Sequence, residues 1–317
     1  MVSMFMRVVA LVAVAALVGT GCADAGAASP SGADEGPSVV AGFYPLAFVA
    51  AEVGGSSVRV TDLAPPGAEP HDLELKPRQV GLLADADLVV YLKGFQPAVD
   101  TAVDQQAKGH ALDVGHEVAL ETLSEEGEPA AASGEDEHAH KHDEAGVDPH
   151  VWLDPTRLAT IATAVGEALA GADPSHADNY RERARRLSDR LQALDAEMRA
   201  GLTGCARTTF VTSHAAFGYL AQRYGLRQVA ISGLDPEAEP TPRRIVEVAA
   251  IAKEQKVTTI FFERLVSPKV ATVMARDLGL ATAVLDPVEG LPASGSGDYF
   301  SIMTANLAAL RSALGCP

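Results

Sequence analysis

The 317-residue chain carries 25 Lys and Arg against 42 Asp and Glu, a formal net charge of −17. Nucleic-acid binding works by neutralising phosphates with basic side chains, so this balance excludes it and favours attraction of cations. Residues 23–38 cannot bury a core, and the roughly 280 that follow favour two domains.

At the N-terminus, Arg7 precedes an apolar run from Val8 to Val18 and then Gly19-Thr20-Gly21-Cys22. The run is too short to span a bilayer, so residues 1–21 read as a signal peptide. Small residues before a cysteine resemble a lipobox, although Gly19 stands where leucine is usual. Cleavage before Cys22 would leave a lipidated N-terminus that anchors an exported chain to the outer face of the cytoplasmic membrane. Residues 22–38, rich in Ala, Gly, Ser, Pro and acids, read as a flexible tether.

Beyond the tether, strands are predicted at 38–42, 57–61 and 87–92, with a helix at 77–84. The run Asp87-Leu88-Val89-Val90-Tyr91-Leu92 is almost continuously apolar, as expected of a buried parallel strand. Residues 124–147 then shift to acids interleaved with His138, His140 and His142, a low-complexity loop suited to attracting metal. From 173 to 203 the series Tyr180, Ala184, Leu187, Leu191, Leu194, Met198, Leu202 steps by three or four. With Asp173 as N-cap and Pro174 in the first turn, it predicts one long helix of about 40 Å joining the halves. Strands follow at 208–212, 228–231, 258–262 and 283–285, with helices at 241–255 and 268–278. Alternation of strand and helix implies an α/β fold of two Rossmann-like domains with parallel sheets. These are an N-terminal lobe at 39–172 and a C-terminal lobe at 204–317.

Metal chemistry is concentrated in a few punctuated segments. His150 lies between two Asp-Pro corners in Asp148-Pro149-His150-Val151-Trp152-Leu153-Asp154-Pro155, where proline restricts the backbone. His71 ends Pro65-Pro66-Gly67-Ala68-Glu69-Pro70-His71, His214 follows a predicted strand, and Asp286 sits in Leu285-Asp286-Pro287. Three histidines and one carboxylate can form a tetrahedral zinc site, with water as the alternative fourth ligand. His110, His116 and His176 match no motif and read as solvent-facing.

The segments PGAEPHDLELKP, DPHVWLDP, TSHAAFGYLAQRYGL and LDP occur in that order. Together they resemble the ZnuA-like (cluster A-I) solute-binding lipoproteins of zinc and manganese ABC importers. The resemblance runs from about Val39 to the C-terminus. It implies His71, His150, His214 and Asp286 as ligands, and a rigid backbone helix between lobes. It further implies a monomer that hands its metal to a cognate permease and ATPase. The chain departs from the pattern at Leu73, where an aromatic is usual, and at Pro70, where some members carry an acid. Manganese relatives often have glutamate at the position of His214. Three nitrogens favour Zn2+, with Mn2+ or ferrous iron second. A surface adhesin is an alternative. A zinc hydrolase is disfavoured, since no His-Glu-x-x-His helix and no general base accompany the ligands, so no enzyme activity is expected.

Two cysteines besides Cys22 remain. In an oxidising compartment Cys205 and Cys316 are expected to pair as a disulfide.

Overall fold

The computed structural model describes residues 36–123 and 146–317. The signal segment, Cys22 and the histidines at 138, 140 and 142 lie outside the described residues.

The first half builds β1 (Ser38–Ala41), α1 (Tyr44–Gly54), β2 (Arg59–Asp62), α2 (Pro77–Asp85), β3 (Leu88–Tyr91), α3 (Pro97–Gln106) and β4 (Ala111–Asp113). The four strands are parallel, in the order β2-β1-β3-β4. All four residues of β3 are buried, which is why its sequence is a continuous apolar run. A short antiparallel pair follows, β5 (Glu121–Leu123) against β6 (Gly146–Asp148), with Glu121 opposite Asp148.

Next come α4 (Pro155–Ala172) and α5 (Ala177–Gly201). Asp154 caps α4 by accepting the N–H of Thr156 at 2.8 Å, with Pro155 in the first turn, where its missing N–H costs nothing. The long helix predicted over 173–203 is shorter as an α-helix. Its first turn, Pro174–His176, is 3-10, capped by Asp173 through the N–H of Ser175. The 25 residues of α5 span about 38 Å. Its predicted apolar stripe, from Tyr180 to Met198, is buried. Gly166 lets α4 and α5 approach closely: a Cβ there would lie 2.8 Å from that of Ala184.

The second half repeats the plan with β7 (Thr209–Thr212), α6 (Gly218–Tyr224), β8 (Arg227–Ala230), α7 (Pro242–Glu254), β9 (Thr259–Phe262), α8 (Lys269–Leu278), β10 (Ala281–Val284) and α9 (Tyr299–Leu314). Its sheet is parallel, ordered β10-β9-β7-β8. In both sheets the first strand lies between the second and third. Each sheet therefore has a switch point, β1/β3 and β7/β9, at whose carboxyl ends ligands bind in such folds.

Each sheet packs one face on its own apolar layer. One layer holds Val40, Val89 and Val99; the other holds Val211, Ile260 and Met274. The opposite faces share a single core that runs through α1, α4, α5 and α9 and includes Phe43, Trp152, Leu187, Phe210 and Tyr299. That shared core resists large relative movement of the two sheets. A disulfide joins Cys205, just beyond α5, to Cys316 beyond α9, across 111 residues.

Candidate metal centre

His71, His150, His214 and Glu289 converge, with one ligand-type atom from each lying within 4.8 Å of the others. The three predicted histidines thus come together, but Asp286 does not join them. Its Oδ1 instead accepts the N–H of Val288 at 2.9 Å, and its Oδ2 faces the Arg264 guanidinium at 3.4 Å. The carboxylate among the histidines is that of Glu289, three residues on. The structure thus sets Glu289 beside the three histidines, where the sequence points to Asp286.

Each histidine is held by its local chain. His71 follows β2 on the turn into α2; its N–H meets Glu69 Oε1 at 3.1 Å, and the preceding carbonyl of Pro70 accepts from Gln96 Nε2 at 3.1 Å. That turn touches the Glu289 segment through the N–H of Gly67, 2.8 Å from the carbonyl of Leu291. His150 opens a 3-10 turn after β6. Asp148 Oδ1 receives both its backbone N–H, at 2.9 Å, and its ring Nδ1, at 2.8 Å. His214 lies two residues beyond β7, at the switch point. Its Nδ1 is 2.6 Å from Oε1 of Glu263, which directly follows β9 and also bonds the Ser213 hydroxyl.

A carboxylate on Nδ1 fixes the tautomer that leaves Nε2 as a lone-pair donor. For both His150 and His214 that free nitrogen faces Glu289 Oε1, at 3.0 and 3.4 Å, and the two nitrogens are 3.4 Å apart. His71 Nε2 is 3.5 Å from the same oxygen. A tetrahedron with ligands about 2.0–2.1 Å from a zinc ion has edges of about 3.3–3.4 Å. Four of the six edges are thus close to this size, and all four ligand atoms lie within 4.8 Å of one another, which suits a small four-coordinate cation. His71 Nε2 and Glu289 Oε1 are also buried without a partner in hydrogen-bonding geometry. Such orphaned atoms are costly unless something binds them.

The electrostatics agree. Burial pushes the Glu289 carboxyl up, but His150, His214 and His71 around it outweigh this and hold it well below the usual carboxylate range. Burial likewise lowers His150 and His214, yet Asp148 and Glu289 raise the first, and Glu263 and Glu289 raise the second well above an ordinary imidazole. The buried acids thus favour the protonated form of both imidazoles, so protons compete with a cation for the same nitrogens.

Of the histidines without a motif, His116 and His176 are exposed. His110 is half-buried, its ring nitrogen 3.0 Å from the carbonyl of Leu83, contrary to the solvent-facing expectation. Glu289, Asp148 and Glu263 were missed as site residues. The signals available were a second carboxylate in Asp286-Pro287-Val288-Glu289 and an acid at the end of a predicted strand at 263.

A buried cluster of three imidazoles and a carboxylate, set between two parallel α/β sheets that share a core, defines a two-lobed metal-binding protein of the solute-binding class. The chain belongs to the family described as the periplasmic component A of the zinc-uptake complex, which matches residues 39–313. It is 34% identical over 284 residues to the zinc-binding protein AdcA of Streptococcus pyogenes, covering 86% of this chain and 55% of that one. The chain thus spans about half the length of such curated relatives. The high-affinity zinc uptake system protein ZnuA of Bacillus subtilis is 33% identical over 281 residues, covering 87% of each chain. The crystal structure of the Zn(II)-bound ZnuA-like domain of Streptococcus pneumoniae AdcA superposes with a TM-score of 0.71 at 31% identity, covering 88% of this chain and 99% of that one.

Proposed function

We propose that this chain is the extracytoplasmic zinc-binding component of an ABC importer. His71, His150, His214 and Glu289 capture Zn2+ and release it to a cognate permease driven by an ATPase. The observation that carries the reading is the convergence of three Nε2 atoms within 3.5 Å of one carboxylate oxygen, two of the rings being oriented through Nδ1 by buried acids. Zinc is favoured over manganese because three of the four donors are imidazole nitrogens. With four protein donors and no open position, the site binds rather than catalyses. Residues 39–172 and 204–317 serve as the two lobes that enclose the ion, and 173–203 as their link. The chain works as an exported monomer, lipidated at Cys22.

Competition titration of the purified protein against a chromogenic chelator tests the binding. Native protein is expected to hold one tight zinc, and His150→Ala to lose it. Tight binding that survives alanine at each of the three histidines sinks the assignment. Transport is tested separately, by zinc-limited growth of a strain lacking the chain.

A further inference from the structure

Among the described residues only Lys256 and Val288 combine a side chain with positive φ, 54° and 59° respectively. For β-branched Val288 this is a true outlier, which persists only where the surroundings over-determine it. Val288 is fully buried and immediately precedes Glu289.

Three contacts hold it there. Asp286 Oδ1 accepts the Val288 N–H at 2.9 Å, closing an Asx turn. Asp286 is itself gripped at both ends of its backbone by buried Asn306 on α9. Asn306 Oδ1 accepts the Asp286 N–H at 2.9 Å, and Asn306 Nδ2 donates to the Asp286 carbonyl at 2.7 Å. The intervening carbonyl of Pro287 accepts the Trp152 indole N–H at 2.7 Å.

We propose that Asp286 is a positioning residue for the metal centre. Together with Asn306 it locks Val288 in the left-handed conformation, and that turn directs the Glu289 carboxylate onto the three Nε2 atoms. Asp286 supplies the geometry of the fourth ligand, not a donor atom. The proposal rests on the reading of Glu289 as that ligand. With Val288 in an ordinary right-handed or extended conformation, the chain beyond it would leave in another direction and carry the carboxylate out of the cluster.

The test is a rescue. Asp286→Ala is expected to weaken zinc binding at least about tenfold, as loss of an orienting partner does. The Co2+-substituted protein should lose the intense visible bands of a four-coordinate site. Val288→Gly in the same chain should restore both, because glycine takes positive φ unaided. Asp286→Asn, whose amide oxygen can accept the same bond, should bind more tightly than Asp286→Ala. Asp286→Ala should add nothing in a Glu289→Gln background. If Asp286→Ala does not fold, Asn306→Ala, which removes both bonds to the Asp286 backbone, is read the same way with the same rescue. Failure of Val288→Gly to rescue, or an Asp286→Ala loss that persists undiminished in Glu289→Gln, overturns the positioning role and leaves the metal site standing. Zinc binding unmoved by Glu289→Gln removes the fourth ligand itself, and the proposal with it.

Discussion

Trp152 donates its indole N–H to the carbonyl of Pro287 at 2.7 Å, across 135 residues of sequence. The bond ties the segment that carries His150 to the one that carries Glu289. Two tyrosines strengthen the tie: Tyr299 OH donates to the Trp152 carbonyl at 2.6 Å, and Tyr219 OH to the Asp148 carbonyl at 2.9 Å. Donors from both halves of the chain are thus braced against one another before any ion arrives.

Trp152→Phe keeps the aromatic packing against Phe43 and Phe95 but leaves the Pro287 carbonyl without its donor. A buried acceptor stripped of its partner costs about 1–3 kcal/mol. The variant should unfold at lower denaturant with an unchanged m-value, as followed by circular dichroism. A midpoint equal to that of the native protein would show that the bond contributes nothing.

Changing single donors should separate their roles. His150→Ala removes a fully buried ligand and strands Asp148 and Glu289, so it should abolish tight zinc binding. His214→Glu exchanges nitrogen for oxygen and also sets a second carboxylate beside Glu263. It should weaken zinc and narrow its advantage over manganese. Paired titrations with the two metals read this directly; an unchanged zinc-to-manganese ratio would refute the donor argument.

The sequence shows most of the architecture because the central strands β1, β3, β7 and β9 are largely buried and read as mostly apolar runs. Leu88–Tyr91 and Thr209–Thr212 lie where the pattern places them. Around α5 the stripe from Tyr180 to Met198 predicts the packed face, but not the 3-10 turn before Ala177, which Asp173 sets by bonding Ser175. His71 and His150 are legible because proline and acids punctuate their turns, and His214 because it directly follows a predicted strand. Asp148 stands two residues before His150 and bonds its N–H, and Glu69 does the same for His71. The carboxylate that lies among them is not legible, for the same reason. Asp286 also stands two residues before the N–H it caps, so Asp-Pro marks a turn-former there and the donor comes later. The pattern marks Glu263 only as an acid at a strand end; its pairing with His214 spans 49 residues and depends on the register of β7 against β9.

The disulfide should matter to stability more than to affinity. In the chain-entropy account, closing a loop of 111 residues contributes about 4–5 kcal/mol. Cys205→Ser with Cys316→Ser should lower the thermal midpoint of the metal-free protein clearly, while zinc affinity at a temperature where it is folded stays within a few-fold, roughly 1 kcal/mol. Free-thiol counting on unfolded, unreduced native protein should find neither thiol; detection of both would refute the pairing.

Acidity should act on this site with opposite signs in its two states. Metal binding needs neutral imidazoles, and His150 and His214 are raised above the ordinary value near 6.5. Protons therefore compete from above that value, and zinc affinity should already be falling as pH drops through neutrality. In the metal-free protein the linkage reverses. A histidine with a raised folded pKa stabilises fully below about 6.5, and that contribution is lost as pH rises through the folded value. Glu289, depressed by the same neighbours, stabilises above its unfolded value near 4.3, and its contribution is lost as pH falls through its folded value. The site should thus favour the metal-free fold most between about pH 4.3 and 6.5. Glu289→Gln should flatten that profile in part, since it removes the one charge that bears on both imidazoles while Asp148 and Glu263 remain. Thermal midpoints of both forms across pH 4 to 9, a range of about five units around these values, check it. A metal-free midpoint that is no less pH-dependent in Glu289→Gln than in the native protein would show that the cluster does not govern the profile.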